Sequence, residues 1–194
     1  QSVKNQTFGD FEAIIVDDAS TDSTPEKIVE AAGDDKRFKV VTHPTNQGLH
    51  LARKTAAAHT KGEWVFCLDG DDEVTPDFLE QVVARIDQNP VDILHLGITV
   101  IPENGVSEAE AEGFGNFINQ QSHFTQGEEV LRTIYDEGYE QKLDWRATQR
   151  LYRGELFRSA FAEMTSERLV RAEDSYEVFV LSEKAQSADG FESC

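Results

Sequence analysis

Two acidic stretches in this chain each follow an apolar run. Asp17-Asp18-Ala19-Ser20-Thr21-Asp22 comes after Ala13-Ile14-Ile15-Val16, and Asp69-Gly70-Asp71-Asp72 comes after Glu63-Trp64-Val65-Phe66-Cys67-Leu68. Carboxylates placed where a buried parallel strand leaves its sheet stand on the edge where α/β folds bind ligands. Carboxylate oxygens are hard donors, so two such edges suit a hydroxyl-rich, phosphate-bearing molecule held through a divalent metal.

Other accounts of Asp69-Gly70-Asp71-Asp72-Glu73 compete with that one. A calcium loop of the EF-hand kind needs Gly at its sixth position, where this chain has Val74, and Pro76 intrudes on the loop. A phosphatase of the haloacid dehalogenase type also sets Asp-x-Asp after an apolar strand. It usually carries Thr or Val where Glu73 stands. Plain turn chemistry is the third account, since Asp and Gly favour turns through local hydrogen bonds and backbone freedom.

The elements that must carry these edges are legible as strand and helix in alternation. Ala13–Val16 reads as a strand, and Thr24-Pro25-Glu26 opens a helix that Gly33 stops. Phe38–Thr42 is a strand, and Leu49, Ala52, Ala56 and His59 mark a helix that ends at Lys61-Gly62. Trp64–Leu68 is a strand, and Phe78, Leu79, Val82, Val83 and Ile86 follow helical spacing. Val91–Ile101 reads as a long strand. The pattern predicts an α/β fold with a mostly parallel sheet flanked by helices. From Pro102 to Phe124 it dissolves into a Gly-, Asn- and Gln-rich loop, and loops of that length are commonly functional. Glu128–Tyr135, Arg153–Met164 and Ser175–Lys184 read as helices. The expected organisation is therefore an α/β half over residues 1–101 and a mainly helical half over 102–194, both in one domain.

Composition bounds the chemistry. A chain of 194 residues, 39% hydrophobic and 28% charged, can bury a core as a globular protein. The net charge of -19 argues against a nucleic-acid binder, which needs basic surface to release counterions. It leaves a phosphorylated small ligand open, because a metal and a few local cations can outweigh the global field. Of two cysteines, Cys67 falls in an apolar run and Cys194 is the last residue, so no disulfide framework is implied. No apolar stretch is long enough to span a bilayer. The abrupt first residues, Gln1 to Phe8, and an equally abrupt end suggest a chain cut at both ends.

The motifs occur in a telling order. Gln6-Thr7-Phe8 and Phe11-Glu12 precede Asp17-Asp18-Ala19-Ser20-Thr21-Asp22. Asn46-Gln47-Gly48 with Ala52-Arg53 follows, then Lys61-Gly62-Glu63-Trp64, then Leu68-Asp69-Gly70-Asp71-Asp72. Together they closely resemble the core of family 2 glycosyltransferases of the GT-A fold. The resemblance is strong over residues 1–101 and looser beyond. There, Ala172-Glu173-Asp174 looks like the family's Glu-Asp motif, and Arg150-Leu151-Tyr152-Arg153 resembles a segment common in bacterial members.

The resemblance implies a metal-dependent, inverting transfer of sugar from a nucleotide diphosphate, most often a UDP-sugar, to a hydroxyl of a glycan or lipid-linked acceptor. Bacterial cell-surface polysaccharide synthesis on the cytoplasmic side of the membrane is the implied setting, with peripheral membrane association of the full-length protein left open. Asp18 would accept a hydrogen bond from the nucleotide base, with Ser20 and Asp22 beside it on the donor side. Asp69 would contact ribose or sugar, Asp71 would ligate Mg²⁺ or Mn²⁺ with support from Asp72, and Arg53 would meet phosphate or base. Asp174 would be the general base that deprotonates the acceptor. Where members usually continue from Ala-Arg with Asn and a small residue, this chain has Lys54-Thr55-Ala56. Lys54 is expected to add a cation near the phosphates. Members also begin with an apolar strand ending in Pro-x-Tyr-Asn, and this chain starts after it.

The chemistry is coherent without the family. Breaking a sugar–diphosphate bond leaves a multiply charged group that a hard cation stabilises, and a carboxylate opposite it can take the acceptor's proton. Glu173-Asp174 also fits a helix N-terminus decorated with acids, which the helix dipole favours. Trp145, Tyr152, Phe157 and Phe161 could stack on sugars, although their helical spacing suits core. Two other functions stay open at this point: a catalytically silent nucleotide-sugar-binding domain, and the phosphatase above.

Overall fold

The computed structural model describes residues 1–103, 105–119, 124–135 and 145–191. Cys194, and positions 104 and 120–123 of the expected long loop, lie outside them. The chain begins with two parallel strands, β1 (Ala13–Asp17) and β2 (Phe38–Thr42), joined through α1 (Thr24–Ala32). Ala13 stands opposite Phe38 and Asp17 opposite Thr42. Pro25 at the start of α1 gives up an N–H that would be unpaired there, and Gly33 ends the helix at φ 53, a conformation glycine adopts without strain.

Helix α2 (Leu49–His59) leads into β3 (Trp64–Phe66), α3 (Phe78–Gln88) and β4 (Ile93–Leu96). After these come α4 (Glu108–Ile118), β5 (Thr125–Gln126), α5 (Glu128–Tyr135), β6 (Arg150–Arg153), α6 (Gly154–Glu163), α7 (Glu173–Lys184) and β7 (Ser187–Phe191). Strands β3-β6-β4-β7-β5, in that order, make a five-stranded sheet. It is mixed: β6 runs antiparallel to both β3 and β4, β7 runs parallel to β4, and β5 antiparallel to β7. β5, β6 and β7 all come from beyond residue 101, so this sheet joins both parts of the chain.

Alternation along β6 sorts the core into two layers. Tyr152 stands opposite Val65 and Ile93 and joins Ala57, Phe157, Ala160, Phe161, Met164 and Leu181 on the face covered by α2, α6 and α7. Leu151, opposite Phe66 and Leu94, faces the other way against Phe78, Val82 and Ile86 of α3. β4 is buried along its whole length, as a central strand covered on both faces must be. Its one polar member, His95, is pushed down to about 3 by burial and by the neighbouring Arg150 cation, so it sits in the core neutral. Gly154 is needed where α6 starts against the end of α2's loop: a Cβ there would run into the Gly62 carbonyl and lie 3.1 Å from that of Glu63.

Several sequence expectations need correcting. The strand expected over Val91–Ile101 is regular only at Ile93–Leu96, and the strand expected to reach Leu68 ends at Phe66. The supposed loop at 102–124 contains α4, started by a capping box in which Ser107 and Glu110 exchange hydrogen bonds. Asn119 then ties its end back to Ile98 through both backbone groups. β6 and β7 were not anticipated, because Arg150–Arg153 is short and charged at both ends and Ser187–Phe191 contains Asp and Gly. Pairing with β4 overrides those weak propensities. Tyr152, Phe157 and Phe161 are core residues, whereas Trp145 is exposed. Among the described residues, no helix is long and apolar enough to cross a membrane.

Candidate active site

At the end of β1, Asp18 does not face solvent freely. The backbone N–H of Gln47 donates to its Oδ1 (2.8 Å), that of Gly48 to its Oδ2 (2.7 Å), and His43 Nδ1 lies 2.7 Å from Oδ1. Burial opposes ionisation of Asp18, but the bonds from Gln47, His43 and Gly48 outweigh it and hold the carboxyl below its ordinary range. A carboxylate offers about four lone-pair positions, so most are filled before any ligand arrives. The effect is to pin the loop that launches α2. Gly48, at φ 90, takes a conformation open to glycine, and Arg168 reaches over the loop to Asn46 (2.9 Å).

α2 carries Arg53 into the centre of the arrangement. Its side chain is only 7% exposed and meets carboxylates from two distant parts of the chain. Nη1 donates to Asp174 Oδ1, at the start of α7, and to Glu177 Oε2 at 2.9 Å, one turn further along that helix. Nη2 lies 3.6 Å from Asp69 Oδ1, just beyond β3. Burial alone would weaken the guanidinium's hold on its proton, but Glu177 and Asp174 outweigh it and raise its pKa. Asp69 moves the other way. Burial raises its pKa against the pull of Arg53, and the like charges of Asp174, Asp72 and Asp71 push in the same direction.

That mutual repulsion bears on metal binding. Asp69, Asp71, Asp72 and Asp174 concentrate negative charge on one edge, and Asp71 and Asp72 are exposed. Among the described residues, no three His, Cys, Asp or Glu side chains already converge as a metal cage. Mg²⁺-like cations are commonly held by one or two carboxylates together with substrate phosphates rather than by an all-protein cage. The donor set, exposed oxygens beside crowded carboxylates, fits such a cation.

The acidic motifs at Asp18 and at Glu173-Asp174 are each flanked by strain. Ala19 (φ 60) and Ala172 (φ 57) are the two non-glycine residues with positive φ among those described, and they directly adjoin Asp18 and Glu173-Asp174. In the left-handed conformation Ala172 turns the chain into α7 so that Asp174 falls in its first turn.

Three residues expected on the donor side make local contacts. Ser20 N–H donates to Asp17 Oδ1 (3.0 Å), and Asp22 accepts from Thr24 N–H (2.9 Å) at the start of α1. Lys54 points away from Arg53: its Nζ donates to the carbonyls of Phe161 and Met164, both at 2.6 Å, and so closes the C-terminal end of α6. Residues passed over in the sequence take part. His43 supports Asp18, and His50 and Glu177 support Arg53. Their signal was spacing, since His50 precedes Arg53 by three residues and Glu177 follows Asp174 by three, which puts each pair on one helix face.

The model of the family described as "Glycosyl transferase family 2" matches residues 1–166. The UDP-Glc:alpha-D-GlcNAc-diphosphoundecaprenol beta-1,3-glucosyltransferase WfgD of Escherichia coli is 30% identical over 105 residues, 54% of this chain and 41% of that protein. Among solved structures, S. aureus TarS 1-349 in complex with UDP superposes with a TM-score of 0.76 at 25% identity, covering 100% of this chain and 52% of that one. The mannosyltransferase PcManGT of Pyrobaculum calidifontis, solved with GDP-Man and Mn²⁺, shares the fold with a TM-score of 0.64 at 18% identity, over 98% and 49% of the two chains. The chain thus spans about half the length of the solved proteins it matches, or less for the curated relative.

Proposed function

Since this chain belongs to glycosyl transferase family 2 and has its GT-A fold, we propose that it carries the site of a metal-dependent, inverting sugar transfer from a UDP-sugar to a hydroxyl of a glycan or lipid-linked acceptor. The observation that carries the reading is Arg53, which joins Asp69 at the β3 edge to Asp174 at the head of α7. A carboxylate assigned to the donor's ribose or sugar and a base candidate thereby meet around one buried cation. UDP in the TarS structure and UDP-Glc in the name of the E. coli relative support the choice of nucleotide. The diphosphoundecaprenol in that same name supports a lipid-linked acceptor.

A divalent cation, Mg²⁺ or Mn²⁺, held by Asp71 with Asp72, would supply Lewis-acid stabilisation of the diphosphate charge. Asp69 lies at the same edge to receive ribose or sugar hydroxyls. Arg53, kept protonated by its carboxylates, offers fixed positive charge in a dry setting where it acts strongly. Asp174 is 29% exposed, so an acceptor can reach it. Its carboxylate takes the acceptor proton as the hydroxyl oxygen bonds to the anomeric carbon. The anomeric carbon–oxygen bond to phosphate breaks on the opposite face, its electron pair leaves with UDP, and the configuration inverts. Asp18 shapes the base-side wall by fixing the 46–48 loop.

The test is UDP release by the full-length protein from UDP-glucose and UDP-GlcNAc with Mn²⁺, beside an Asp174→Asn variant. Transfer should fall by about two orders of magnitude or more in the variant while UDP affinity holds. Undiminished transfer would remove Asp174 from the role of base.

A further inference from the structure

We infer that His50 and Glu177 are positioning residues that turn the Arg53 guanidinium so that its Nη2 arm faces the incoming diphosphate. The inference rests on the reading of the Asp69 edge as the donor side. Nη2 is buried and makes no hydrogen bond among the described residues, although Asp69 Oδ1 stands 3.6 Å away. An unpaired buried donor is costly, and an anionic oxygen arriving at that edge would satisfy it.

What fixes the guanidinium in this orientation is not its exposed partners. Asp69 and Asp174 are 44% and 29% exposed and share their oxygens with water, whereas Glu177 is wholly buried. A flexible arginine stem has many rotamers, and the unscreened bond to Glu177 selects one of them. Glu177 is in turn anchored through Oε1, 2.9 Å from His50 Nδ1. His50 Nε2 lies 3.0 Å from the Thr165 carbonyl, which can only accept, so Nε2 carries a proton. One further proton must lie between Nδ1 and Oε1, on either atom, for that contact to be a hydrogen bond. The His50 ring itself is wedged between Phe161, stacked at 6.2 Å, and Tyr176, edge-on at 5.7 Å. An unbroken series of contacts thus runs from the Thr165 carbonyl through His50 and Glu177 to Arg53.

The experiment uses the full-length protein and two conservative variants, Glu177→Gln and His50→Gln, which keep polar groups in place. Titration with UDP and Mn²⁺ should give a dissociation constant about tenfold weaker in each. In an Arg53→Met background, neither change should weaken UDP binding further. A purely structural role would lower the melting temperature alone, and unchanged UDP affinity in both folded variants overturns the inference. Crystal structures of the variants give a readout that does not depend on UDP: Arg53 should swing off Asp174. If the wild-type protein does not bind UDP, the functional reading falls, and an Arg53 left undisturbed in Glu177→Gln then overturns this inference separately.

Discussion

Arg53 on α2 and Asp174 on α7 are hydrogen-bonded although 121 residues separate them in the chain. The same guanidinium holds the buried Glu177, so its removal exposes two problems at once. Arg53→Ala would leave Glu177 with His50 as its remaining partner, and breaking a buried pair by deleting one member costs about 3 kcal/mol or more. Urea unfolding should register that loss. Pairing Arg53→Ala with Glu177→Gln should restore part of it, because the stranded carboxylate is then gone.

Asp174→Asn separates binding from turnover. The variant keeps the size of the side chain and a hydrogen-bond acceptor for Arg53 but loses the basic oxygen pair. Its kcat should fall steeply with little change in UDP affinity, as expected for a group used only in the transition state. Steady-state kinetics beside calorimetry reads both quantities.

Ala172 sits at φ 57 ahead of α7. A non-glycine residue there costs about 1–2 kcal/mol, so Ala172→Gly should stabilise the fold by about 1 kcal/mol, part of the relief being offset by glycine's greater freedom when unfolded. Thermal denaturation would show a raised midpoint. A lowered one would mean that the strain is not local to this position.

The carboxylates set an acid limit whose sign follows from their direction of shift. Asp18 is held below its ordinary value of 3.8, against burial, by Gln47, His43 and Gly48, and Asp35 is held at about 2 by the Arg37 guanidinium beside it. Lowered carboxyls contribute stability that is present above the ordinary pKa and lost as pH falls through the folded value. Unfolding measured from pH 5 downward should therefore show stability draining away below about pH 4, and Asp35→Asn should flatten that slope. Glu177, raised mainly by burial, works in the opposite direction and gives up stability as pH climbs through its elevated pKa.

Much of this was legible in the sequence, for identifiable reasons. The strand–acid junctions at Asp17-Asp18 and Asp69 were visible because apolar runs end abruptly in turn-forming carboxylates. Helices α2 and α3 were visible from their apolar spacing. β6 and β7 were hidden because their pairing with β4 is a long-range property that no local pattern encodes. α4 carried a readable Ser107–Glu110 cap, but Gly113 and Gly115 masked the helix behind it. Arg53 and Asp174 could be flagged singly; that they touch could not. Lys54 shows the converse limit, since being next to Arg53 in sequence turns it about a quarter of the helix away, toward the carbonyls of α6.

The most direct measurement is calorimetric titration of the full-length protein with UDP, with and without Mn²⁺, beside Asp71→Ala. UDP should bind the wild-type protein far more tightly when Mn²⁺ is present, and Asp71→Ala should abolish that gain. Equal binding by both proteins, with Mn²⁺ making no difference to either, would contradict a metal-held diphosphate at the β3 edge.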